Sequence, residues 1–276
     1  MQVNLGGVLL ETRPGSPVRD LAGVTLLELV FSLGLFTLLL VILTLLFTQT
    51  LGVWRKIDSA DTADREIRKA VAALRSDLQL ASPSRLNRTQ VPPSLGAGND
   101  GEALWFLSPI ATSGQMAHKQ DSAEPLWQRN ILYYLVVPQN HNPTFGMNCS
   151  GIAGPTGYEA ACSHKVLIRK VIDSGVATVP TDESTEETLI ADITPYLTHP
   201  NGYDLSGMNE PGVEHQEIVA SRLLTFESQN AGPSEVSVEL RAVALQDAQR
   251  ETRLGSVSMY TGRFTAVAPF SVFLKN

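Results

Sequence analysis

Residues 29–54 read LVFSLGLFTLLLVILTLLFTQTLGVW, and none of these 26 positions carries a charge. At about 1.5 Å per residue, a helix of this length is about 39 Å long and exceeds the roughly 30 Å hydrocarbon thickness of a bilayer. Its central part, Leu35 to Phe47, contains neither proline nor glycine. No second apolar run of comparable length follows. The sequence therefore predicts one membrane-spanning helix in a single-pass protein.

The residues directly before this segment are Gly23-Val24-Thr25-Leu26-Leu27-Glu28. Glu28 interrupts an apolar stretch that begins at Leu21, and a carboxylate at the centre of a membrane costs about 2.5 to 3.5 kcal/mol, so such residues usually have a partner. The preceding segment carries Arg13 and Arg19, and it lacks the long apolar region and small-residue cleavage site of a secretory signal. A plain signal anchor remains the alternative interpretation.

This string resembles the N-terminal signature of type IV prepilins and of type II secretion pseudopilins. In those families a leader ending in Gly precedes an apolar residue, Thr, Leu, an apolar residue and then Glu at the fifth position of the mature chain. The resemblance implies that residues 1–23 are a leader peptide, which a prepilin peptidase removes between Gly23 and Val24. It also implies that Val24 becomes an N-methylated N-terminus. Glu28 would then pair with the N-terminal amine of a neighbouring subunit during assembly, since a carboxylate buried in lipid needs a cation.

Beyond the apolar segment, charged residues alternate with apolar or small residues at the spacing of one helix face. These are Val53, Ile57, Ala60, Ile67, Val71, Leu74 and Leu78, with Asp64 at the step between Ala60 and Ile67. A transmembrane and assembly helix over residues 24–54 is therefore expected to continue as an amphipathic helix over 55–81. It ends at Ser82-Pro83, because a residue before proline is pushed out of the α region. An ordinary stalk helix is the alternative.

Residues 82–276 are predicted to form a β-rich extracytoplasmic domain. After a turn-forming stretch over 82–101, strand-like segments occur at 103–107, 129–137, 165–172, 217–226, 235–245, 256–260 and 264–274. Successive strands without intervening helices favour an antiparallel sheet. The predicted fold class is therefore α+β, with a long N-terminal helix packed on an antiparallel β-sheet, and the resemblance makes it pilin-like. Two long loops, 138–164 and 173–214, are expected to be functional or mobile.

The two cysteines, Cys149 and Cys162, enclose twelve residues. In an oxidising compartment they are predicted to form a disulfide, which would contribute about 3 kcal/mol for a loop of this size. Two reduced thiols are one alternative. Half of a metal site, completed by His141 and His164, is the other, although the spacing matches no zinc pattern.

Sequence motifs for catalysis are missing from the chain. The five histidines are scattered, and no nucleophile elbow, phosphate-binding loop or dinucleotide fingerprint occurs. The acidic string 182–187 lacks the spaced ligands and central glycine of a calcium loop and is predicted to be solvated. With 28 Asp and Glu against 21 Lys and Arg, the net charge of −7 argues against nucleic acid as a partner. We therefore expect no enzymatic activity, no cofactor and no metal.

On the resemblance, the chain is expected to be a minor pilin or pseudopilin, a structural subunit of a type IV pilus or a type II secretion pseudopilus. The 253 residues left after removal of the leader are bulky for a repeated subunit. The stretch 217–226 also resembles J-type minor pseudopilins and W-type minor pilins.

The family implies three kinds of partner: other pilin subunits, the prepilin peptidase and an inner-membrane assembly platform. It also implies a single-pass inner-membrane protein whose C-terminal domain lies in the periplasm or on a surface fibre. A pilus-tip adhesin and a signal-anchored periplasmic enzyme are the alternative functions.

Overall fold

The computed structural model describes residues 25–91, 103–138, 162, 165–197, 201–203, 210–243 and 265–275. The chain divides into two compact units, 1–52 and 53–276. One 53-residue helix, α1, runs from Leu26 to Leu78. The described strands are β1 (Leu86–Thr89), β2 (Ala103–Ser108), β3 (Arg129–Pro138), β4 (Lys165–Ile172), β5 (Asn201–Tyr203), β6 (Val213–Gly232), β7 (Glu235–Val243) and β8 (Thr265–Phe273).

In the first unit, the described residues are the start of α1 and Thr25 before it. Every side chain from Thr25 to Arg55 is exposed, whether it lies on one face of the helix or another. Among the described residues, α1 is the one helix long and apolar enough to cross a membrane. An apolar helix that buries no face within its own chain requires an apolar environment outside it.

The second unit contains the sheet, whose strand order is β1-β2-β3-β4-β6-β7-β8. All neighbours in this order are antiparallel, while the short β5 pairs with the end of β3 in parallel. Each antiparallel strand thus pairs with the next one along the chain, apart from the skipped β5. The α+β class and the antiparallel sheet predicted from the sequence are confirmed.

Several strands differ from the sequence-based expectation. β6 is 20 residues long, twice the predicted segment 217–226. The prediction of turns over 82–101 is wrong at β1, and the prediction of a loop over 173–214 is wrong at β5. Both are short strands without strong alternation, so pairing with β2 and β3 decides their conformation. The predicted strand 256–260 lies outside the described residues.

One face of the sheet is covered by the second half of α1. The buried stripe of the helix consists of Ala63, Ile67, Ala70, Leu74 and Leu78. It packs against alternate residues of the strands, namely Leu104, Phe106, Ile131, Tyr133, Leu135, Leu167, Ala220, Leu223, Phe226, Val236, Val238, Leu240, Ala242 and Val272. The helix ends at Leu78, followed by a 3₁₀ turn at Pro83–Arg85.

The predicted helix stripe is correct in its second half and wrong in its first. Val53 and Ile57 are 56% and 57% exposed, and Ala60 is exposed as well. The packed stripe begins instead at Ala63, which is 2% exposed. Apolar residues at helical spacing predict a face, but they do not show where along the helix the covering layer begins.

The long strand β6 contains a bulge that the helix stabilises. Lys165 pairs with Leu223 and Leu167 pairs with Ala220, so three steps on β6 oppose two steps on β4. Arg222, inside the bulge, has a φ of +61°. A bulge removes a backbone N–H from the ladder, and here Ser221 N donates to Glu66 Oε2 of α1 over 2.7 Å.

The same carboxylate accepts from the Ser221 hydroxyl and from Lys69. Burial opposes the charge on Glu66, but the hydrogen bonds and the positive charge of Lys69 outweigh it and hold the pKa of Glu66 below its ordinary value. Glu66 therefore stabilises the fold at pH values above 4.5, its ordinary pKa. This contribution is lost as the pH falls through the lowered pKa.

A second polar contact joins the last turn of α1 to the sheet. Asp77 Oδ2 accepts hydrogen bonds from Tyr133 Oη over 2.7 Å and from Arg169 Nε over 2.6 Å. Arg169 also donates to Glu217 over 3.2 Å. Burial and the neighbouring charge of Asp77 raise the pKa of Tyr133, so its hydroxyl remains a donor. The helix is thus attached to β3 and β4 through one carboxylate, and Arg169 extends the contact to β6.

The other face of the sheet is covered by residues 173–197, here called the cover segment. Its Ile190, Ile193 and Leu197 pack against alternate residues of β2 to β4, among them Ala103, Trp105, Leu132, Tyr134, Val136, Val166, Ile168 and Ile172. Trp105 Nε1 donates to Ile190 O over 2.9 Å, and buried Lys170 donates to Tyr196 O over 2.7 Å. The expected functional or mobile loop is, over these residues, a layer of the core.

We predict that Asp77→Ala lowers the free energy of unfolding by about 2–3 kcal/mol, because Arg169 and Tyr133 lose their acceptor in a largely buried place. The matched control is Asp61→Ala on the same helix, whose pair with Arg65 is about 60% exposed. An exposed pair of this kind contributes about 0.5 kcal/mol or less. Urea unfolding of the full chain in detergent measures both, and equal losses would contradict the role of Asp77.

Candidate functional site

The first candidate site is the N-terminal end of α1, where Thr25 caps the helix. Thr25 Oγ1 accepts a hydrogen bond from the backbone N–H of Glu28 over 3.3 Å, and Thr25 O accepts from Leu29 N over 3.1 Å. Glu28 is three residues after the cap, which is the Thr-x-x-Glu pattern of a capping box. A negative charge in the first turn also interacts favourably with the helix dipole. Glu28 therefore has a local role in addition to any role between subunits.

The apolar half of α1 satisfies its own hydroxyl groups. The Ser and Thr side chains here donate to backbone carbonyls three or four residues earlier: Ser32 to Leu29, Thr37 to Leu33 and Gly34, Thr44 to Leu40, Thr48 to Leu45, and Thr50 to Leu46. In hydrocarbon, an unsatisfied polar group costs several kcal/mol. These hydroxyls therefore add little to the cost of placing the helix in lipid.

Glu28 is the one carboxylate in the described residues before Asp58. Its side chain is exposed. The predicted cleavage site between Gly23 and Val24 and the predicted methylation at Val24 lie outside the described residues. The structure thus describes the glutamate and the helix that carries it, and it leaves the processing site as a prediction.

The cysteines are described in part. Cys162 is 1% exposed and disulfide-bonded, and it contacts Val137 at the end of β3. Cys149, His141 and His164 lie outside the described residues, so the pairing Cys149–Cys162 stays a prediction.

Within the described part of the chain, no group of three or more His, Cys, Asp or Glu side chains could hold a metal ion. His118 lies within hydrogen-bond distance of Ala123 O in the β2–β3 connection. His215 is 59% exposed and lies 3.9 Å from Glu217. The two described histidines thus have separate local surroundings.

The acidic string 182–187 has structural roles that the sequence did not predict. Asp182 Oδ1 accepts from Ser184 N over 3.0 Å and caps the 3₁₀ turn Glu183–Thr185. A hydrogen bond from the Ser184 hydroxyl, together with this one from its backbone, holds the pKa of Asp182 below its ordinary value. Glu183 accepts from Gln120 N, and Glu186 lies 3.5 Å from Lys119 Nζ, so both attach the β2–β3 connection. Glu187 is 2% exposed, and the expectation of a solvated string is wrong at this position.

A cleft of about 360 Å³ lies beyond the end of α1, on the helix-covered face of the sheet. Arg129 and Arg169 line it together with Asp77, Glu214 and His215, and Ile110–Thr112 form another part of its wall. Both arginines are already in ion pairs: Arg129 with Glu214 and Asp173, and Arg169 with Asp77 and Glu217. Charges balanced in this way favour a structural role for the cleft arginines.

Sequence reasoning missed the buried charged side chains of the second unit, above all Arg129, Lys170, Asp173 and Glu187. The sequence around each of them does not indicate that the side chain is buried, because a charged residue is normally exposed. Only the positions of their partners on distant segments make their burial possible. No motif in the sequence marks them.

Comparison of the chain with models of known protein families, with curated protein sequences and with solved structures finds no significant match. The function therefore has to be inferred from the residues and their geometry.

We predict that Leu39→Lys, near the middle of the apolar half of α1, impairs membrane insertion. Leu39 is 60% exposed, so the side chain has no partner within the described chain, and a lysine at the centre of a span costs about 2.5–3.5 kcal/mol. Leu39→Ala is the matched control, because it removes the same side chain without adding a charge. The measurement is the fraction of full-length chain that stays with membranes after alkaline carbonate extraction. Equal retention of both variants would contradict a membrane-spanning role.

Proposed function

We propose that this protein is a minor pilin or pseudopilin, a single-pass inner-membrane subunit that assembles through its N-terminal helix and carries its β-rich unit outside the cytoplasm. The observation that carries the proposal is the string Gly23-Val24-Thr25-Leu26-Leu27-Glu28 at the start of an uncharged apolar helix. The string combines a cleavable glycine, a helix-capping threonine and a carboxylate in the first turn. A signal anchor needs none of these three features.

The two halves of α1 support the same function. The first half is apolar on every side and buries none of its surface within the described chain. The second half buries one stripe against the sheet and is attached by Glu66 and Asp77. A subunit that polymerises through one end of a helix, while displaying a folded unit at the other, requires this division.

The disulfide provides evidence about the side of the membrane on which the second unit lies. Disulfides form and persist in oxidising compartments and are rare in a reducing cytosol. Cys162 is disulfide-bonded beside β3, within the second unit. This observation supports an extracytoplasmic location for this unit, and in the proposal the segment before Thr25 lies on the cytoplasmic side, where a prepilin peptidase would act.

We predict that the mature protein begins at Val24 and carries one added methyl group on its N-terminal amine. Intact-mass analysis of the purified membrane protein, with sequencing of its N-terminal peptide, tests this directly. Gly23→Leu is the matched variant, because it leaves the apolar helix unchanged but removes the small residue that the peptidase requires. It should retain residues 1–23. An intact Met1 in the wild-type protein, or a cut beyond residue 50, would overturn the proposal.

We predict that Glu28→Gln inserts into the membrane normally and enters fibres poorly. Glutamine preserves the size and capping geometry of the side chain but removes the charge that would pair with a neighbouring N-terminal amine. Thr25→Ala serves as the matched control, since it removes the helix cap at a cost of about 1 kcal/mol and leaves the charge in place. Fibre incorporation is measured by crosslinking and by recovery of sheared filaments. If Thr25→Ala fails and Glu28→Gln assembles normally, the role of Glu28 is capping and the pairing is refuted.

A further inference from the structure

The cover segment is held to the sheet by two carboxyl groups that the proposed assembly function does not use. Asp173 stands at its beginning, and Glu187 lies fourteen positions further along. Glu187 is 2% exposed, and the side chain of Asp173 is 9% exposed. Glu187 Oε1 accepts from the backbone N–H and the hydroxyl of Ser174, the residue after Asp173, so the two acidic groups lie close together. Two acidic side chains are therefore enclosed together beneath the cover segment.

Glu187 attaches the segment to β3. Its Oε1 accepts from Asn130 Nδ2 over 2.9 Å and from the Ser174 hydroxyl. Asn130 in turn donates to Thr188 O and accepts from Ile190 N over 3.1 Å. The position of Ile190, whose carbonyl accepts from Trp105, is thus coupled to Glu187 through one asparagine.

Asp173 has donors on only one of its two oxygens. Its Oδ2 accepts from Thr178 N over 3.1 Å and lies 3.4 Å from Arg129 Nη1. Its Oδ1 is buried and finds no donor among the described residues. A buried acceptor without a donor costs about 1–3 kcal/mol. The hydroxyl of a protonated Glu187 is a donor that could reach it.

The charges around the pair are not balanced when both groups are ionised. Among the described residues, Arg129 is the one cation paired with Asp173, and Glu214 of β6 also binds it through two hydrogen bonds of 2.5 and 3.0 Å. Asp173 and Glu214 therefore share one guanidinium group, and Glu187 has no ion pair among the described residues. The two lysines near the segment are paired elsewhere, Lys170 with Glu210 and Lys119 with Glu186. Tyr196 is a further acidic group near Glu187.

We propose that Asp173 and Glu187 form a proton-linked latch: one shared proton holds the cover segment on the sheet, and loss of that proton loosens it. The proton lies on Glu187 and donates to Asp173 Oδ1, while Arg129 neutralises the remaining carboxylate. When Glu187 ionises, two like charges face each other in a buried site. The contacts of Ile190 with Asn130 and Trp105 then weaken, because they depend on the position of this segment.

The sign of the pH dependence follows from the surroundings. Burial, together with the negative charge of Asp173, raises the pKa of Glu187 above its ordinary value of 4.5. The latch therefore stabilises the fold fully at pH values below 4.5. This stabilisation is lost as the pH rises through the raised pKa of Glu187. The stabilisation from Glu66 has the opposite pH dependence, because it is lost only as the pH falls below 4.5. The two effects occupy different pH ranges and can be separated.

Trp105 is a natural reporter of the latch, because it is 4% exposed and bonded to the cover segment. Replacing the other two tryptophans, Trp54→Phe and Trp127→Phe, leaves it as the one fluorophore. In the full chain in detergent, acrylamide quenching of Trp105 should increase severalfold from about pH 5 to about pH 8. Glu187→Gln should keep quenching low at every pH, since its amide N–H can donate to Asp173 Oδ1 and does not titrate in this range.

Glu183→Gln is the matched control, because it removes an exposed charge from the same segment while its amide oxygen can still accept from Gln120 N. It should follow the wild-type curve. The latch is wrong if the wild-type curve is flat, or if Glu187→Gln responds to pH as the wild type does. Calcium chloride added at about pH 8 should leave quenching unchanged, and restoration of the low-pH value would show that a cation, and not a proton, neutralises the pair.

A second measurement keeps the proposal testable if a variant does not fold. Carboxyl-carbon NMR of the wild-type chain, labelled at glutamate, follows the ionisation of Glu187 directly. Its signal should titrate at a pH above 4.5, the ordinary value of a glutamate. Titration of Glu187 at or below that value would overturn the latch.

Discussion

The burial of one helix stripe against the sheet is the interaction on which the rest of the second unit depends. Ala63, Ile67, Ala70, Leu74 and Leu78 cover the centre of a seven-strand antiparallel meander. Small residues at two of these five positions let the helix approach closely, while the three larger ones fill the space between the strands. Without this layer the apolar side chains of β2 to β8 on that face would be exposed. The helix that is long and apolar enough to cross a membrane is thus also the main support of the folded unit.

Polar contacts then determine how the helix sits on the sheet. Burial of apolar surface is not directional, whereas Glu66 reaches one backbone N–H in a bulge and Asp77 reaches one tyrosine and one arginine. Both carboxylates accept hydrogen bonds from strands far away in the chain. The bulge in β6 is itself part of this arrangement, because the irregular strand provides the donor that Glu66 needs. Orientation and strand irregularity therefore stabilise each other.

Much of the fold could be predicted from the sequence, since hydrophobic periodicity reports local environment directly. The boundaries of β2, β3 and β4 follow closely from apolar runs bounded by turn residues. The role of residues 173–197 could not be interpreted in this way, because the spacing of their apolar side chains does not show what the segment packs against. Their role as a second covering layer depends on Trp105, Lys170 and Asn130, which lie on three different strands. The same holds for Glu187, whose burial requires partners that no local pattern reveals.

The sequence by itself determined that an uncharged helix long enough to cross a membrane precedes an antiparallel sheet, and that Glu28 is the carboxylate at its start. These features depend on composition and short-range periodicity, which the chain carries in every conformation. Only the tertiary structure decided which residues of α1 are buried, that the cover segment closes the second face, and that Asp173 and Glu187 share one enclosed site. Those features depend on contacts between residues distant in the chain, and the free energy of a buried charge is set by the partners that folding brings to it.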